Sequence, residues 1–343
     1  MACAEEHIPI KLTGPEQNEI CFGCHSLTAL KKRLPTGKMV TLFVDAKQFD
    51  ASVHSTRTCT ECHTDITYLP HSKVIEKVNC GRCHYINPVV STAPQKQAAQ
   101  YQESVHKAAL LRGNEKAPSC QECHGAHDIK AAVDPKSRVY RPTIPHTCGS
   151  CHLDIYRQYA ESIHGADLEK GNLDVPVCTD CHGEHSIRSP KDPLSSVYAT
   201  KVPETCSRCH ASERIERRNN LAVAREETYR ESFHGIASRY GDTAAANCAS
   251  CHGSHDIRPS SDPKSSINKL NLPHTCGKCH PGANENFGKG KIHVIIQRKE
   301  QAFLYYVSNG FKWLTISVMA ALIGHIGLDL LGRRRKRRQE KLA

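Results

Sequence analysis

Nine short motifs constrain this chain more than anything else in it. Eighteen of its 19 cysteines fall into C-x-x-C pairs: Cys21/Cys24, Cys59/Cys62, Cys80/Cys83, Cys120/Cys123, Cys148/Cys151, Cys178/Cys181, Cys206/Cys209, Cys248/Cys251 and Cys276/Cys279. Each pair is followed at once by a histidine: His25, His63, His84, His124, His152, His182, His210, His252 and His280. Zinc sites use C-x-x-C in twos but need no fixed neighbouring histidine. A thioredoxin-like redox pair is normally single and sits in a βαβ pattern. A disulfide framework needs no histidine at all. Histidine makes up 22 of 343 residues, so nine such neighbours by chance has a probability on the order of 10⁻¹¹. The chemistry that requires the pattern is attachment of c-type haem, with two thioethers to the porphyrin and the adjacent imidazole on the iron. Cys3 is left over and has no assigned role.

Nine haems change what the composition means. Only 6% of the residues are aromatic, there is one Trp, and mean hydropathy is −0.51, so the chain is poor in material for an ordinary core. Porphyrins are expected to supply the apolar interior, with short helices and many loops wrapped around them. The net charge of +11 would ordinarily raise nucleic acid as a partner. Roughly 18 haem propionates would absorb that excess, and part of it lies in the terminal run "RRRKRR", so a nucleic-acid partner is excluded.

The motifs come in a repeated arrangement. Y-x-E-S-x-H stands before three pairs of motifs, as "YQESVH", "YAESIH" and "YRESFH". H-G-x-H follows the first motif of each pair, then "DPKS", "DPLS" and "DPKS", whose Asp-Pro steps predict turns. "IPHTC", "VPETC" and "LPHTC" introduce the second motif. The expected organisation is a segment with haem 1 at 1–50, a shorter dihaem unit at 51–100, and full dihaem units at 101–158, 159–228 and 229–302. A transmembrane helix at 303–332 and a basic tail at 333–343 complete it. The fold class is mainly α and loop, a haem-packed array. "MVTLFV" (Met39–Val44) is the one persuasive strand, and Ala211–Tyr229 reads as a charged helical insert.

A low-spin haem needs a second axial ligand. His127 follows His124 too closely to pass around the same porphyrin, so it is expected to serve a different haem. The x-x-x-H element supplies His54, His106, His164, His234 and His293, and the even-numbered haems come with His71, His127, His185 and His255. Five and four make the nine distal ligands required. Which serves which haem is left open. His146 and His274 of "P-H-T-C" give way to Glu204 in the third copy and are expected to hydrogen-bond a ligand or propionate; His7 competes for an end haem.

Trp313–Leu331 is 19 residues long, enough for one membrane-spanning helix and a single-pass anchor. Tyr305, Tyr306 and Trp313 mark one interface and Arg333–Arg338 the cytoplasmic side. The haem-bearing bulk is then expected outside the cytoplasm, on the periplasmic side of the inner membrane. Export is required, yet "MACAEEHIPIKL" has no signal core, so a signal is expected to have been removed or to lie outside this stretch. His325 inside the segment is a candidate ligand for a haem b shared with a partner, or for a quinone or proton path; the bland alternative is a hydrogen bond between helices. Ala320, Gly324 and Gly327 form a small face suited to helix packing.

From Cys21 to His280 the chain resembles multihaem c-type cytochromes with doubled motifs, and its anchor resembles that of haem-rich subunits paired with a membrane cytochrome b. The resemblance implies an electron relay in anaerobic respiration, between a quinone-linked partner and periplasmic carriers, and more an electron-transfer subunit than a stand-alone enzyme. A reductase of a small oxyanion such as nitrite is the alternative; it requires an iron with an open position, and all nine motifs keep histidine. An extracellular haem filament comes third, against which the anchor argues.

Overall fold

The computed structural model describes residues 8–10, 14, 16–33, 37, 39–71, 75–84, 95–219, 221, 225–289, 293 and 302–340. Its elements are short helices joined by turns, with two small sheets and one long C-terminal helix. His7 and Cys3 lie outside the described residues.

Among the described residues, the buried apolar side chains are only Val175, Val177, Val202 and Pro145. The polypeptide exposes 24992 Å², against about 14,000 Å² for a compact chain of its 38.0 kDa. Protein–protein burial alone therefore does not account for the fold, as the low aromatic content predicts.

What orders the chain instead is repeated polar carpentry. The first-motif helices Cys59–Cys62, Cys120–His124, Cys178–His182 and Cys248–His252 each start with a side chain that accepts the N–H of the residue before the first cysteine, and at Asn247 the bond is reciprocated, its Oδ1 accepting the Ser250 N–H at 3.2 Å. The acceptor is the residue just before the second cysteine. Glu61 takes the N–H of Thr58 at 2.8 Å, Glu122 that of Ser119 at 2.7 Å, Asp180 that of Val177 at 2.7 Å and Ser250 that of Asn247 at 3.1 Å. Three of these helices end on a glycine at φ +88°, +80° and +82° with ψ near 180°, a region essentially reserved for glycine. These are Gly125, Gly183 and Gly253 of H-G-x-H, and they turn the chain away from the motif histidine.

Each residue of Y-x-E-S-x-H has a task. Tyr101, Tyr159 and Tyr229 donate their hydroxyls to the carbonyls of Pro118, Pro176 and Ala246. Ser104, Ser162 and Ser232 cap the helices that carry His106, His164 and His234. The remaining positions reach into the next repeat. The N–H groups of Val53, Val105 and Ile163 donate to the carbonyls of Ile129, Ile187 and Ile257 at 2.9, 2.8 and 2.8 Å. Glu103 pairs with Arg188, and Glu161 with Arg258 at 2.7 Å. Successive repeats are thus strapped together by the same backbone bond each time.

The Asp-Pro turns form as read. Asp134, Asp192 and Asp262 accept the N–H groups two residues on, all at 2.8 Å. The threonine before each second motif (Thr147, Thr205, Thr275) donates to the carbonyl of Arg138, Ser196 or Ser266.

Two expectations are modified. The strand begun at Met39 ends at Thr41 and pairs antiparallel with Lys31–Arg33, and the chain beyond it stays bonded to the first motif, Val44 donating to the His25 carbonyl at 2.7 Å. The insert is not one helix but two, Glu213–Arg218 and Arg225–Arg230, with residues 220 and 222–224 between them outside the described set. Charge continuity in the sequence suggested a single solvated face. The break follows Asn219 and Asn220, poor helix residues in an isolated segment.

Helix Ala302–Glu340 is one element, and within it Ala302–Arg335 is long and apolar enough to cross a membrane. Thr315 and Ser317 turn their hydroxyls back onto the carbonyls four residues earlier, at 2.9 and 2.8 Å, which leaves little unpaired polarity on its surface.

Candidate haem-binding sites

Every motif histidine faces one other histidine. Ring centres are 6.0 Å apart for His25–His71, His124–His185, His182–His255 and His280–His234. They are 6.1 Å apart for His63–His127 and His84–His54, and 6.3 Å for His152–His106, His210–His164 and His252–His293. The partners are the nine histidines selected by counting, with no omission. His146 rests instead on the Tyr156 ring at 5.0 Å and is exposed, as are His274 and Glu204.

The spacing has a chemical meaning. Two metal–imidazole bonds of about 2 Å each, plus roughly 1.1 Å from each nitrogen to its ring centre, place two axial imidazoles about 6.2 Å apart across a metal ion. Direct packing of two imidazoles in contact needs no such constant gap. Among the described residues no group of three or more His, Cys, Asp or Glu side chains gathers as a bare metal site would require. Two opposed imidazoles beside two thiols suit an iron whose other four ligands come with a porphyrin. The residues present therefore fit haem c.

Protonation and orientation favour the same role. Burial lowers the pKa of His54, His63, His106, His124, His127, His182, His185, His210, His252, His255 and His293, and takes His164 down to about 4. Neutral imidazole is the ligating form. His25 donates Nδ1–H to the Leu42 carbonyl at 2.7 Å, and His293 Nδ1 bonds the Thr228 hydroxyl at 2.9 Å, so Nε2 is left for the facing gap in both. The buried Nδ1 atoms of His63 and His185 have no hydrogen-bond partner.

The facing pairs cross repeat boundaries. His127, His185 and His255 each follow one first motif but face the first-motif histidine of the preceding repeat: His63, His124 and His182. His54, His106, His164 and His234 face the second-motif histidine of their own repeat. His293, grouped by sequence with that second set, does the work of the first set by facing His252, and His71 faces His25. Sequence could not settle this, because each pairing depends on how one repeat docks on the next. The signals that could have revealed the docking, Glu103 with Arg188 and Glu161 with Arg258, stand in plain view in the repeats but read as ordinary surface charges.

The cysteines carry the same order. The thiols of Cys21 and Cys59, Cys80 and Cys120, Cys148 and Cys178, and Cys206 and Cys248 lie within hydrogen-bonding reach of each other. The intervening joins run through the second cysteine of the earlier motif, Cys62 toward Cys83, Cys123 toward Cys148, Cys181 toward Cys206 and Cys251 toward Cys276. Every motif thus adjoins the next along the sequence, by two alternating kinds of contact.

Cys24, Cys62, Cys83, Cys120, Cys151 and Cys279 are exposed on the polypeptide. The other twelve motif cysteines are half-buried, and none is fully buried. Five of the six exposed residues, Cys120 excepted, are the second cysteine of their motif. Three residues of helix turn the second thiol by about 300°, so the two share one side of the helix but not one set of neighbours. The first thiol docks on the adjoining motif, as Cys21 does on Cys59, while Cys24 meets no such partner. The Ser150 hydroxyl lies 3.9 Å from the Cys151 thiol. Cys279 stands at the last motif, where no further motif follows to cover it.

His325 stands exposed on the long helix, four residues before Asp329, which pairs with Arg333 at 2.9 Å. No described element packs against it.

The family described as cytochrome c7 and related cytochrome c matches residues 131–211. The multiheme cytochrome MtrC of Shewanella baltica (strain OS185) is 29% identical over 167 residues, which cover 46% of this chain and 23% of that protein. The chain thus spans less than a quarter of that relative's length. No solved structure matches significantly. The motifs, the facing histidines and these similarities together define a multihaem c-type cytochrome, a class of electron-transport protein.

Proposed function

We propose that the chain is a membrane-anchored nonahaem cytochrome that relays electrons along its own length. In this reading each of the nine C-x-x-C-H motifs holds one haem c, and each iron lies between the two histidines of a facing pair. Haem supplies reversible one-electron chemistry; the chain's residues aim the imidazoles and keep neighbouring sites together. The observation that carries the reading is the constant 6.0–6.3 Å separation at all nine motif histidines. A small-oxyanion reductase would need a motif histidine opposite an open face, and each of the nine has an imidazole there. Near-infrared magnetic circular dichroism of the purified protein, with haem content per chain, tests it. The expected result is nine haems, all bis-histidine. A native high-spin haem that binds cyanide or nitrite would overturn it in favour of the reductase.

The direction of the relay follows from where the anchor lies. Eight residues separate His293 from Ala302, so the last haems lie within about 30 Å of chain from the membrane helix. Electrons exchange with a quinone-linked membrane partner, a cytochrome b or another quinone-reactive subunit, at the His252/His280 end, and with periplasmic carriers at the His25 end. The haem domain lies on the periplasmic face of the inner membrane, with Arg333–Arg338 in the cytoplasm. One helix cannot enclose a quinone, and His325 needs a protein partner in lipid, so the helix packs against that subunit. His325→Leu is expected to impair complex assembly or quinol-driven reduction of the haems. Unchanged assembly, haem content and reduction in this variant would make the helix a plain tether.

A further inference from the structure

The His25 end of the array carries a surface found beside no other motif. Among the described residues, only the first motif is followed by a hairpin, Lys31–Arg33 paired antiparallel with Met39–Thr41. Its register sets Lys31 opposite Thr41, Lys32 opposite Val40 and Arg33 opposite Met39. Alternate residues of a strand share a face, and so do directly paired ones. Lys31, Arg33, Met39 and Thr41 therefore form one face, and all four are exposed. Lys32 and Val40, on the opposite face, are half-buried.

The outer face is basic, and nothing beside it in the sequence neutralises it. From Ile20 to Val44 the chain has four cations, Lys31, Lys32, Arg33 and Lys38, and no acid; Lys38 lies outside the described residues. Neither Lys31 nor Arg33 forms an ion pair with a described residue. Asp45, the first acid after the hairpin, is turned into the cap of helix Ala46–Asp50. There it accepts the backbone N–H groups of Lys47 at 2.9 Å and Gln48 at 3.3 Å, and the Gln48 side-chain amide at 3.1 Å. Met39 adds an exposed apolar side chain between the cations and the second strand. Arginine and methionine are both enriched where proteins meet one another.

Both strands run directly into the haem 1 site. Leu30 precedes the first strand and Leu42 follows the second, and the Leu42 N–H donates to the Leu30 carbonyl at 2.9 Å. The Leu42 carbonyl accepts the His25 Nδ1–H at 2.7 Å, and the Val44 N–H donates to the His25 carbonyl at 2.7 Å. The exposed face thus begins one residue from the carbonyl that orients His25. Met39 stands about 10 Å further along, at 3.3 Å per residue.

We propose that the face formed by Lys31, Arg33, Met39 and Thr41 is the docking surface through which haem 1 exchanges electrons with an acidic carrier protein. The proposal deepens the relay reading, which puts carriers at the His25 end, and rests on it. One electron passes between the haem 1 iron and the carrier's redox centre, so one is oxidised as the other is reduced; no bond forms or breaks. The cations steer the carrier onto this end of the array, and the small contact area lets it leave again after transfer.

The test uses the full, haem-loaded chain with a plant-type [2Fe–2S] ferredoxin, an acidic one-electron carrier, as the probe. Calorimetry measures equilibrium binding, and stopped flow measures the second-order rate at which reduced ferredoxin reduces the haems, both at low and high ionic strength. Lys31→Glu/Arg33→Glu is expected to weaken binding and slow the encounter by about tenfold at low salt, with the difference closing at high salt. Lys264→Glu/Lys269→Glu makes the same change in net charge at two exposed lysines of the last repeat, and should cost no more than about twofold. No detectable ferredoxin binding by the wild type at low salt, unchanged binding in the hairpin variant, or an equal loss in the last-repeat variant would each overturn the proposal. A loss undiminished at high salt would mark a distorted hairpin instead of a missing charge, and overturns it as well. If the hairpin variant fails to hold its haems, Lys31→Gln/Arg33→Gln decides: about threefold weaker binding at low salt is expected, and unchanged binding overturns it. A wild-type content other than nine haems would strike the relay reading instead. The binding measurement needs no electron transfer, so the two failures are separable.

Discussion

His127 condenses the logic of the molecule into one residue. It follows His124 by three positions yet faces His63, across a repeat boundary. His127→Ala is therefore expected to leave haem 2, anchored by Cys59 and Cys62, with an open face, while haem 4 beside the mutation stays low-spin. Magnetic circular dichroism should report one high-spin haem, and replacing Cys59 and Cys62 as well should abolish that signal. If removal of Cys120 and Cys123 abolishes it instead, the pairing is wrong. Gly125 makes the crossing possible. Its φ of +88° excludes a side chain, and a Cβ there would meet Asp128 Oδ1 at 2.5 Å. Gly125→Ala should cost roughly 1–3 kcal/mol, read as a lower thermal midpoint with weakened ligation at haem 2. The histidines that face the motif histidines were legible from sequence, because counting needs only their number. Their assignment was not, because a facing pair such as His63 and His127 is a property of docking rather than of spacing.

At the scale of elements, the distal-histidine helices are too short to be stable alone. Val105–Leu111, Ile163–Glu169 and Phe233–Arg239 run seven residues each, and depend on their serine caps and their straps to the next repeat. Ser162 is 1% exposed and its hydroxyl accepts the Gly165 N–H at 3.1 Å, so Ser162→Ala should cost about 1 kcal/mol (range 0.5–2) and loosen His164. Glu161→Ala removes only a half-open ion pair with Arg258 and should cost under about 1 kcal/mol. Comparing the two by thermal denaturation separates cap from charge; a larger loss for Glu161→Ala would contradict the ranking. Elements set by local chemistry were readable in advance: the Asp-Pro turns and the apolar span. Met39–Val44 was overextended, because its continuation serves as a carbonyl shelf for His25 rather than as a paired strand. The insert was read as one helix because its charge pattern is continuous, whereas its two halves are held by different partners, Asp174 on one side and His293 on the other.

For the whole molecule, the alternating cysteine contacts and the cross-boundary histidine pairs describe one array rather than separable modules. Each first motif from haem 2 onward is completed by a histidine further along the chain, so truncating at a repeat boundary should damage the repeat left behind. A chain ending after residue 228 loses His255 and is expected to show an open haem 6 at His182, although that motif is intact. Spectra of such a truncation showing only low-spin haems would argue that the repeats are independent. The low protein–protein burial fits the same picture, since an interior built from cofactor has no reason to resemble an ordinary core. The central claim is that nine irons follow the sequence in order, each held by one specific pair of histidines. The measurement that tests it most directly is a structure of the haem-loaded chain with irons located by anomalous scattering at the iron edge. The account predicts nine peaks, each between one of the nine facing pairs, in an unbroken line from His25 to His280. An iron bound by a different pair, an iron with an open axial face, or a peak isolated from all the others would contradict it.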